Sequence, residues 1–256
     1  MNCSKDDLGI TCDNCICKYK VVAVIPCLGR YKLLKKTIER LYKVNRVTKV
    51  VLIGEERQVE RIAAETGSIY LRHTNSPLGK KWNAGFIEAR KLNPDAILFV
   101  GSSDWISEDW LTEALKHLKD HDLIGRLDCY LLDFNTISGK RLVYWPGYGQ
   151  GVRSEEPIGI GRVISARILD KIDWKPFNDD RDNSMDWFMY EAVLNNQGTV
   201  KIMDNGKSMA ISTNLWGNKH QFEQHWSGKE LPSTKIKGEE MNSFLVNNFP
   251  ESIHLF

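Results

Sequence analysis

From residue 20 the chain alternates short apolar runs with longer stretches in which apolar residues recur every three or four positions. "YKVVAVIP" is a β-branched run ended by proline and predicts a strand. In the following "RYKLLKKTIERLYK", Leu34, Ile38 and Leu41 are spaced by four and three, which is one face of a helix. Lys35 and Lys36 fall off that stripe, on a solvated face. "VTKVVLIG" (47–54) then reads as a strand, "EERQVERIAAETG" as a helix ended by Gly67, and "SIYLRH" as a third strand. A further helix, "KKWNAGFIEARKL", leads to "DAILFV", a continuous apolar run of the kind a strand shows when both faces are covered. This alternation predicts an α/β fold with a mostly parallel, doubly wound sheet.

The second half is less regular. "LDCYLLDFN" and "KRLVYWPGY" read as strands, "GYGQGVRSEEPIGIG" as a glycine-rich loop, and "GRVISARILDKI" has helical spacing. In "NDDRDNSMDWFMYEAVLNNQG" an acidic loop feeds a helix ended near Gly198, and "MNSFLVNNF" reads as a short helix or lid segment. The expected division is a cysteine-bearing extension over 1–18, one domain over 19–225, and a tail or lid over 226–256.

Composition narrows the class. A chain of 256 residues with 42% hydrophobic content can bury a substantial core, and its formal charge of +2 is too small to demand a polyanionic partner. No secretory leader pattern opens the sequence, and runs such as "VVAVIPCL" are too short to cross a bilayer, so the expectation is a cytoplasmic protein. Four of six cysteines, Cys3, Cys12, Cys15 and Cys17, lie in the extension. Cys12 and Cys15 have the spacing of half a zinc site, but the other two do not supply a matching half; a reduced, non-ligating segment is the better reading. Cys27 and Cys129 read as small buried hydrophobes.

The chemistry centres on "VGSSDW", where the run at 95–100 ends in two hydroxyls, an acid and a tryptophan. Open parallel sheets bind ligands at the carboxyl ends of their strands, where an acid can hold a divalent cation against a diphosphate. Equally, Asp104 is an acid just ahead of a helix that begins at Ser107 and is capped by its hydroxyl. Phosphate loops do not decide it: GxxxxGK[ST] is absent, and "GIGRVI" lacks both a clear preceding strand and a third glycine.

In order and spacing, "VVAVIPCLGRYKLLKKTIERL", "VVLIGE", "NSPLGKKWNAGFIEAR" and "DAILFVGSSDW" resemble the nucleotide-sugar-binding segments of GT-A glycosyltransferases, especially the family 2 type, over roughly residues 20–205. The resemblance implies a GT-A, Rossmann-like sheet with Pro26 and Cys27 lining a nucleobase pocket and Glu55 contacting the nucleoside. It sets Lys81 and Asn83 near the diphosphate or ribose, although a solvated lysine is the commoner role. The family's run of aspartates is reduced here to Gly101-Ser102-Ser103-Asp104. Ser102 and Ser103 then adjoin the nucleotide sugar, and Asp104 is the candidate ligand for Mn2+ or Mg2+, with fewer carboxylates to hold it.

The family's base lies in an acidic motif at a helix start, the place that "SMDWF" occupies, so the resemblance makes Asp186 the candidate base. The plain alternative is a dipole-favoured acid behind a Ser184 cap; Asp179, Asp180 and Asp182 compete with it. Trp105 and Trp187 adjoin the two acids and are candidates for sugar or acceptor contact, against the ordinary core role of tryptophan. Trp145, Trp216 and Trp226 recur near the same segments. His220 is the candidate for the late histidine that some GT-A enzymes add to the metal; His220 and His225 are five apart, not on one helical face. The expected activity is hexosyltransferase-like, moving a sugar from a nucleoside diphosphate sugar to an acceptor hydroxyl, with inversion and a divalent cation. The acceptor is a glycan, lipid-linked glycan, protein or modified nucleic-acid base. The alternatives are a nucleotidyltransferase, which would release pyrophosphate, and a noncatalytic carbohydrate-binding protein.

Overall fold

The computed structural model describes residues 19–44, 46–133, 141–148, 153–203, 211–213, 235–237, 240, 242–243 and 246–247. The first strand, β1 (Val21–Pro26), is buried almost throughout because both of its faces are covered. Val21, Ala23 and Ile25 belong to one core, Val22 and Val24 to the other. The period-two geometry of a strand divides its side chains in this way. On the first face pack α1 (Tyr31–Lys43), α2 (Arg57–Thr66) and α4 (Glu108–Lys116), through residues such as Leu34, Ile38, Val59, Ile62, Leu111 and Leu115. On the second pack α3 (Leu78–Arg90), α5 (Ala166–Lys171) and α6 (Met185–Asn195), through Trp82, Phe86, Ile168, Leu169, Met189 and Val193.

Beside β1 lie β2 (Val47–Gly54) and then β3 (Ile69–Arg72) on one side, and β4 (Ala96–Phe99) on the other, all parallel. The helix α3 comes unusually close to this sheet: a Cβ on Gly85 would lie 2.8 Å from Val24 Cγ1. Trp82 stacks on Phe99 at 4.0 Å between ring centroids, and Phe177 closes the same aromatic group.

Past β4 the sheet departs from the expected pattern. Residues Val163–Ser165 form a strand, β8, running antiparallel to both β4 and β5 (Leu123–Arg126). The helical reading of "GRVISARILDKI" is therefore corrected: only Ala166–Lys171 are helical, and the Ser165 hydroxyl accepts from Ile168 N to start that helix. Val163 and Ile164 face opposite cores, which strand geometry permits. The edge strand β9 (Val200–Met203) runs parallel to β5, giving the order β3-β2-β1-β4-β8-β5-β9. Neither β5 nor β9 was expected from the sequence. The two strands expected next, β6 (Cys129–Asp133) and β7 (Arg141–Trp145), pair antiparallel and, among the described residues, form the centre of a second sheet of order β10-β6-β7-β11. Its outer strands are β10 (Ile211–Thr213) and β11 (Lys235–Lys237), the latter within the segment read as a tail. No helix of the described residues is long and apolar enough to cross a membrane.

Candidate functional site

β1, β2 and β4 end at one edge of the main sheet, and β8, running the other way, begins there. At the end of β4 the chain turns through Gly101–Trp105, and the Asp104 carboxylate folds back to accept from Gly101 N at 2.5 Å. The carboxylate therefore does not cap α4. The Ser107 hydroxyl does not cap it either; Oγ is buried without a hydrogen-bond partner. A Cβ on Gly101 would stand 2.7 Å from Asp104 Oδ2, so the glycine makes room for the acid. Burial raises the carboxyl to about 6, opposed by the Gly101 bond and the Arg30 charge, and reinforced by the charge of Asp186.

Asp186 approaches from the other side. It sits in the first turn of α6, and its Oδ2 accepts from Gly159 N at 3.0 Å and from the Tyr148 hydroxyl. Ser184, at the start of α6, adopts left-handed backbone and makes no side-chain cap. Gly159 repeats the device of Gly101, since a Cβ there would run into Asp186 Oδ1. The Tyr148 phenol is driven up by burial and by the adjoining carboxylate, and so remains the donor. Behind it, fully buried Arg162 donates to Asp186 O at 2.6 Å, to Ile158 O at 3.0 Å and to Pro157 O, and meets Glu156, also fully buried, at 3.4 Å. Arg153 bonds Glu156 as well and lies 3.6 Å from the centre of the Tyr148 ring. The segment 153–162 thus positions one acid through backbone and buried charge.

A second cluster lies at the ends of β1 and β2. The Lys81 ammonium, almost wholly buried, donates to Cys27 O and to Asn75 Oδ1, each at 2.5 Å. Asn75 in turn donates to Glu55 at 2.7 Å and Glu56 at 3.1 Å. Burial lowers the Lys81 ammonium, against the favourable charges around it, and pushes the Cys27 thiol up to about 12. Pro26, Cys27, Glu55 and Lys81 are therefore brought together, with the thiol itself sealed in the core. Asn83 turns elsewhere: its amide bonds Phe177 in both directions and donates to Asp179 at 2.8 Å. Asp182 accepts from Ser76 Oγ at 2.8 Å and Leu78 N at 2.9 Å, tying its loop to the start of α3. Two of the competing acids thus have structural partners. Trp105 is buried with the Arg40 guanidinium 5.1 Å from its ring, whereas Trp187 is half-buried beside Tyr190 and Arg153. Cys3, Cys12, Cys15, Cys17, Trp216, His220, His225 and Trp226 lie outside the described residues.

Sequence reasoning missed Arg30. Its guanidinium donates to Ser103 Oγ at 2.7 Å and Ser102 Oγ at 2.9 Å, joining the end of β1 to that of β4. Its backbone is left-handed, at φ 52°, directly after Gly29 at φ 62°. That conformation costs a residue with a Cβ about 1 kcal/mol. The only sequence signal was a glycine after a strand. Tyr148, Glu156 and Gly159 were missed because "GYGQGVRSEEPIGIG" reads as loop alone, and Arg162 because "GRVISARILDKI" reads as helix.

Among the described residues no group of three or more His, Cys, Asp or Glu is placed to hold a metal ion. Asp104 supplies a hard carboxylate oxygen suited to Mg2+ or Mn2+, to which a bound phosphate would add further oxygens.

No protein-family model and no curated protein sequence matches the chain. Among solved structures it is similar to S. aureus TarS 1-349, at 16% identity and TM-score 0.54, over 76% of this chain and 60% of that one. It is also similar to the mannosyltransferase PcManGT from Pyrobaculum calidifontis in complex with GDP-Man and Mn2+, at 9% identity and TM-score 0.54, over 93% of this chain and 66% of that one. The chain spans roughly 60 to 66% of the length of these two proteins. Identity this low speaks to architecture. The fold is GT-A-like: α/β, with a mostly parallel sheet between helices.

Proposed function

We propose that the chain is a glycosyltransferase that moves a sugar, with inversion, from a nucleoside diphosphate sugar to an acceptor hydroxyl. The observation that carries this reading is the pair of acids at the sheet's carboxyl edge, each held by a backbone N–H and a glycine, and close enough for Asp186 to disfavour ionisation of Asp104. Two carboxylates in different settings suit two roles. Asp186 Oδ1, without a partner among the described residues, takes the proton of the acceptor hydroxyl as its oxygen attacks the anomeric carbon. The bond from that carbon to the diphosphate breaks, and the nucleoside diphosphate leaves with the electron pair.

Asp104 would hold a divalent cation together with diphosphate oxygens. When bound, that ion supplies charge neutralisation at the leaving group. The similar mannosyltransferase was solved with GDP-Man and Mn2+, which supports a nucleotide sugar and a divalent cation as ligands. In this reading Pro26 and Glu55 line the nucleoside at the ends of β1 and β2, buried Lys81 braces that edge through Cys27 O and Asn75, and half-buried Trp187 is the aromatic ring next to the proposed base.

The test is release of nucleoside diphosphate from a panel of nucleotide sugars with Mn2+, Mg2+ or chelator. The expected outcome is turnover of one donor, abolished by chelator and by Asp104→Asn, and lowered about a hundredfold or more by Asp186→Asn. Release of pyrophosphate from a nucleoside triphosphate mixed with a sugar phosphate, with no turnover of any nucleotide sugar, would instead identify a nucleotidyltransferase. Donor binding without turnover would favour a noncatalytic carbohydrate-binding protein.

A further inference from the structure

Arg30 is a cation that the fold places with unusual care and, among the described residues, leaves without a counterion. It follows β1 in left-handed backbone, in a turn with Gly29, and its guanidinium reaches across to β4. Both of its hydrogen-bond partners, Ser102 Oγ and Ser103 Oγ, are neutral hydroxyls, and both serines are buried. Its Nε is buried with no hydrogen-bond partner. Among the described residues no carboxylate lies within ion-pair distance of it; Asp104 is near enough to favour the cation, while burial opposes it. Two buried guanidiniums of this chain are treated differently. Arg162 has Glu156 at 3.4 Å and Arg126 has Asp128 at 3.2 Å. A partly buried charge held only by neutral dipoles is costly unless an anion completes it. The five donors of a guanidinium, two of them already fixing its plane on the serines, match the oxygens of a phosphate.

We propose that Arg30 is the protein's own diphosphate-binding residue, fixed by Ser102 and Ser103 so that its remaining donors meet the phosphate oxygens of the donor and of the departing nucleoside diphosphate. This rests on the transferase reading and assigns to it a residue that the acids alone do not supply. Ser102 and Ser103 are then positioning residues that act through Arg30. The reduced aspartate motif acquires a reason: the two positions before Asp104 orient a cation rather than add carboxylates.

The experiment compares the full chain with Arg30→Gln, Arg30→Lys and the Ser102→Ala/Ser103→Ala double variant. Titration calorimetry measures affinity for inorganic pyrophosphate, for nucleoside diphosphates and for the matching nucleosides, with chelator present so that no cation contributes, and thermal midpoints confirm folding. Arg30→Gln is expected to weaken diphosphate and pyrophosphate binding about tenfold or more while nucleoside affinity stays constant. Arg30→Lys is expected to recover part of that loss, and the double serine variant to show a smaller one. Equal losses for nucleoside and diphosphate, or no loss in folded Arg30→Gln, would overturn the assignment. If the chain turns over a sugar nucleotide and folded Arg30→Gln keeps its diphosphate affinity, the transferase reading stands and this one falls. If pyrophosphate binds through Arg30 but no sugar nucleotide reacts, the reverse holds. A chain that binds neither pyrophosphate nor any nucleoside diphosphate overturns both.

Discussion

Gly101 and Gly159 fill the same role for different acids, because at each the missing Cβ is the space that a carboxylate occupies. Replacing either by alanine displaces the acid while leaving its chemistry intact, and a misplacement of about 1 Å can cost about a hundredfold in rate. We expect Gly101→Ala and Gly159→Ala to lower donor turnover at least about tenfold with circular dichroism unchanged; wild-type turnover in either would show that the cradle is not needed. Asp104 gives a second prediction. Its carboxyl is raised to about 6 in the folded chain from an ordinary value of 3.8, so the unfolded chain loses that proton first as pH rises. Stability in chelator is therefore undiminished below about pH 4, falls between pH 4 and 6, and above that is reduced on the order of 3 kcal/mol. Asp104→Asn is expected to melt above the wild type at pH 8, with the gap closing toward pH 4; parallel curves across that range would refute the burial argument. Asp104 stood out as a candidate because it follows an apolar strand, and Asp186 only through the resemblance to the GT-A segments. Their holders did not, since a glycine kept for a close approach looks like a glycine kept for a turn, and a loop tyrosine carries no period.

At the scale of elements, the first four strands and their helices follow from periodicity, each strand being a β-branched run set between amphipathic helices. β8 reads wrongly because "VISARIL" satisfies a helical period, and only its pairing with β4 and β5 makes Val163–Ser165 extended. β5 and β9, at four residues each, are not set between two helices as the equally short β3 and β4 are, so nothing in the pattern marks them off. This part of the sheet depends on the buried pair Arg162 and Glu156, where β8 begins. Truncating one member of such a pair leaves the other charge uncompensated, at a cost of about 3 to 5 kcal/mol. Arg153 also bonds Glu156, which moderates the loss. Arg162→Met is therefore expected to lower unfolding free energy by about 3 kcal/mol in urea titration, and to reduce turnover by releasing the carbonyl of Asp186. A change within about 0.5 kcal/mol would show that Arg153 suffices for Glu156.

The whole molecule gathers its chemistry at one edge because a parallel sheet turns its strand ends the same way, and so the place of the site was readable before its residues were. What the sequence could not supply was the charge balance of that edge. The net charge of the chain is +2, yet the Asp104 carboxyl lies within reach of the charges of both Asp186 and Arg30. Two carboxylates repel a diphosphate, and a diphosphate repels them; under the proposed function, a divalent cation bound with Asp104 would reverse the sign of that interaction. Binding of cation and nucleotide should therefore be coupled, and coupling free energy is reciprocal. We expect Mn2+ to tighten nucleoside diphosphate binding by about tenfold or more, and the nucleotide to tighten Mn2+ binding by the same factor. In Asp104→Asn both factors should collapse toward one, while nucleotide affinity in chelator rises because a repelling carboxylate has gone. Independent binding of the two ligands in the wild type would mean that Asp104 does not share a cation with the nucleotide, and the acid would then be left with a purely electrostatic role beside Arg30.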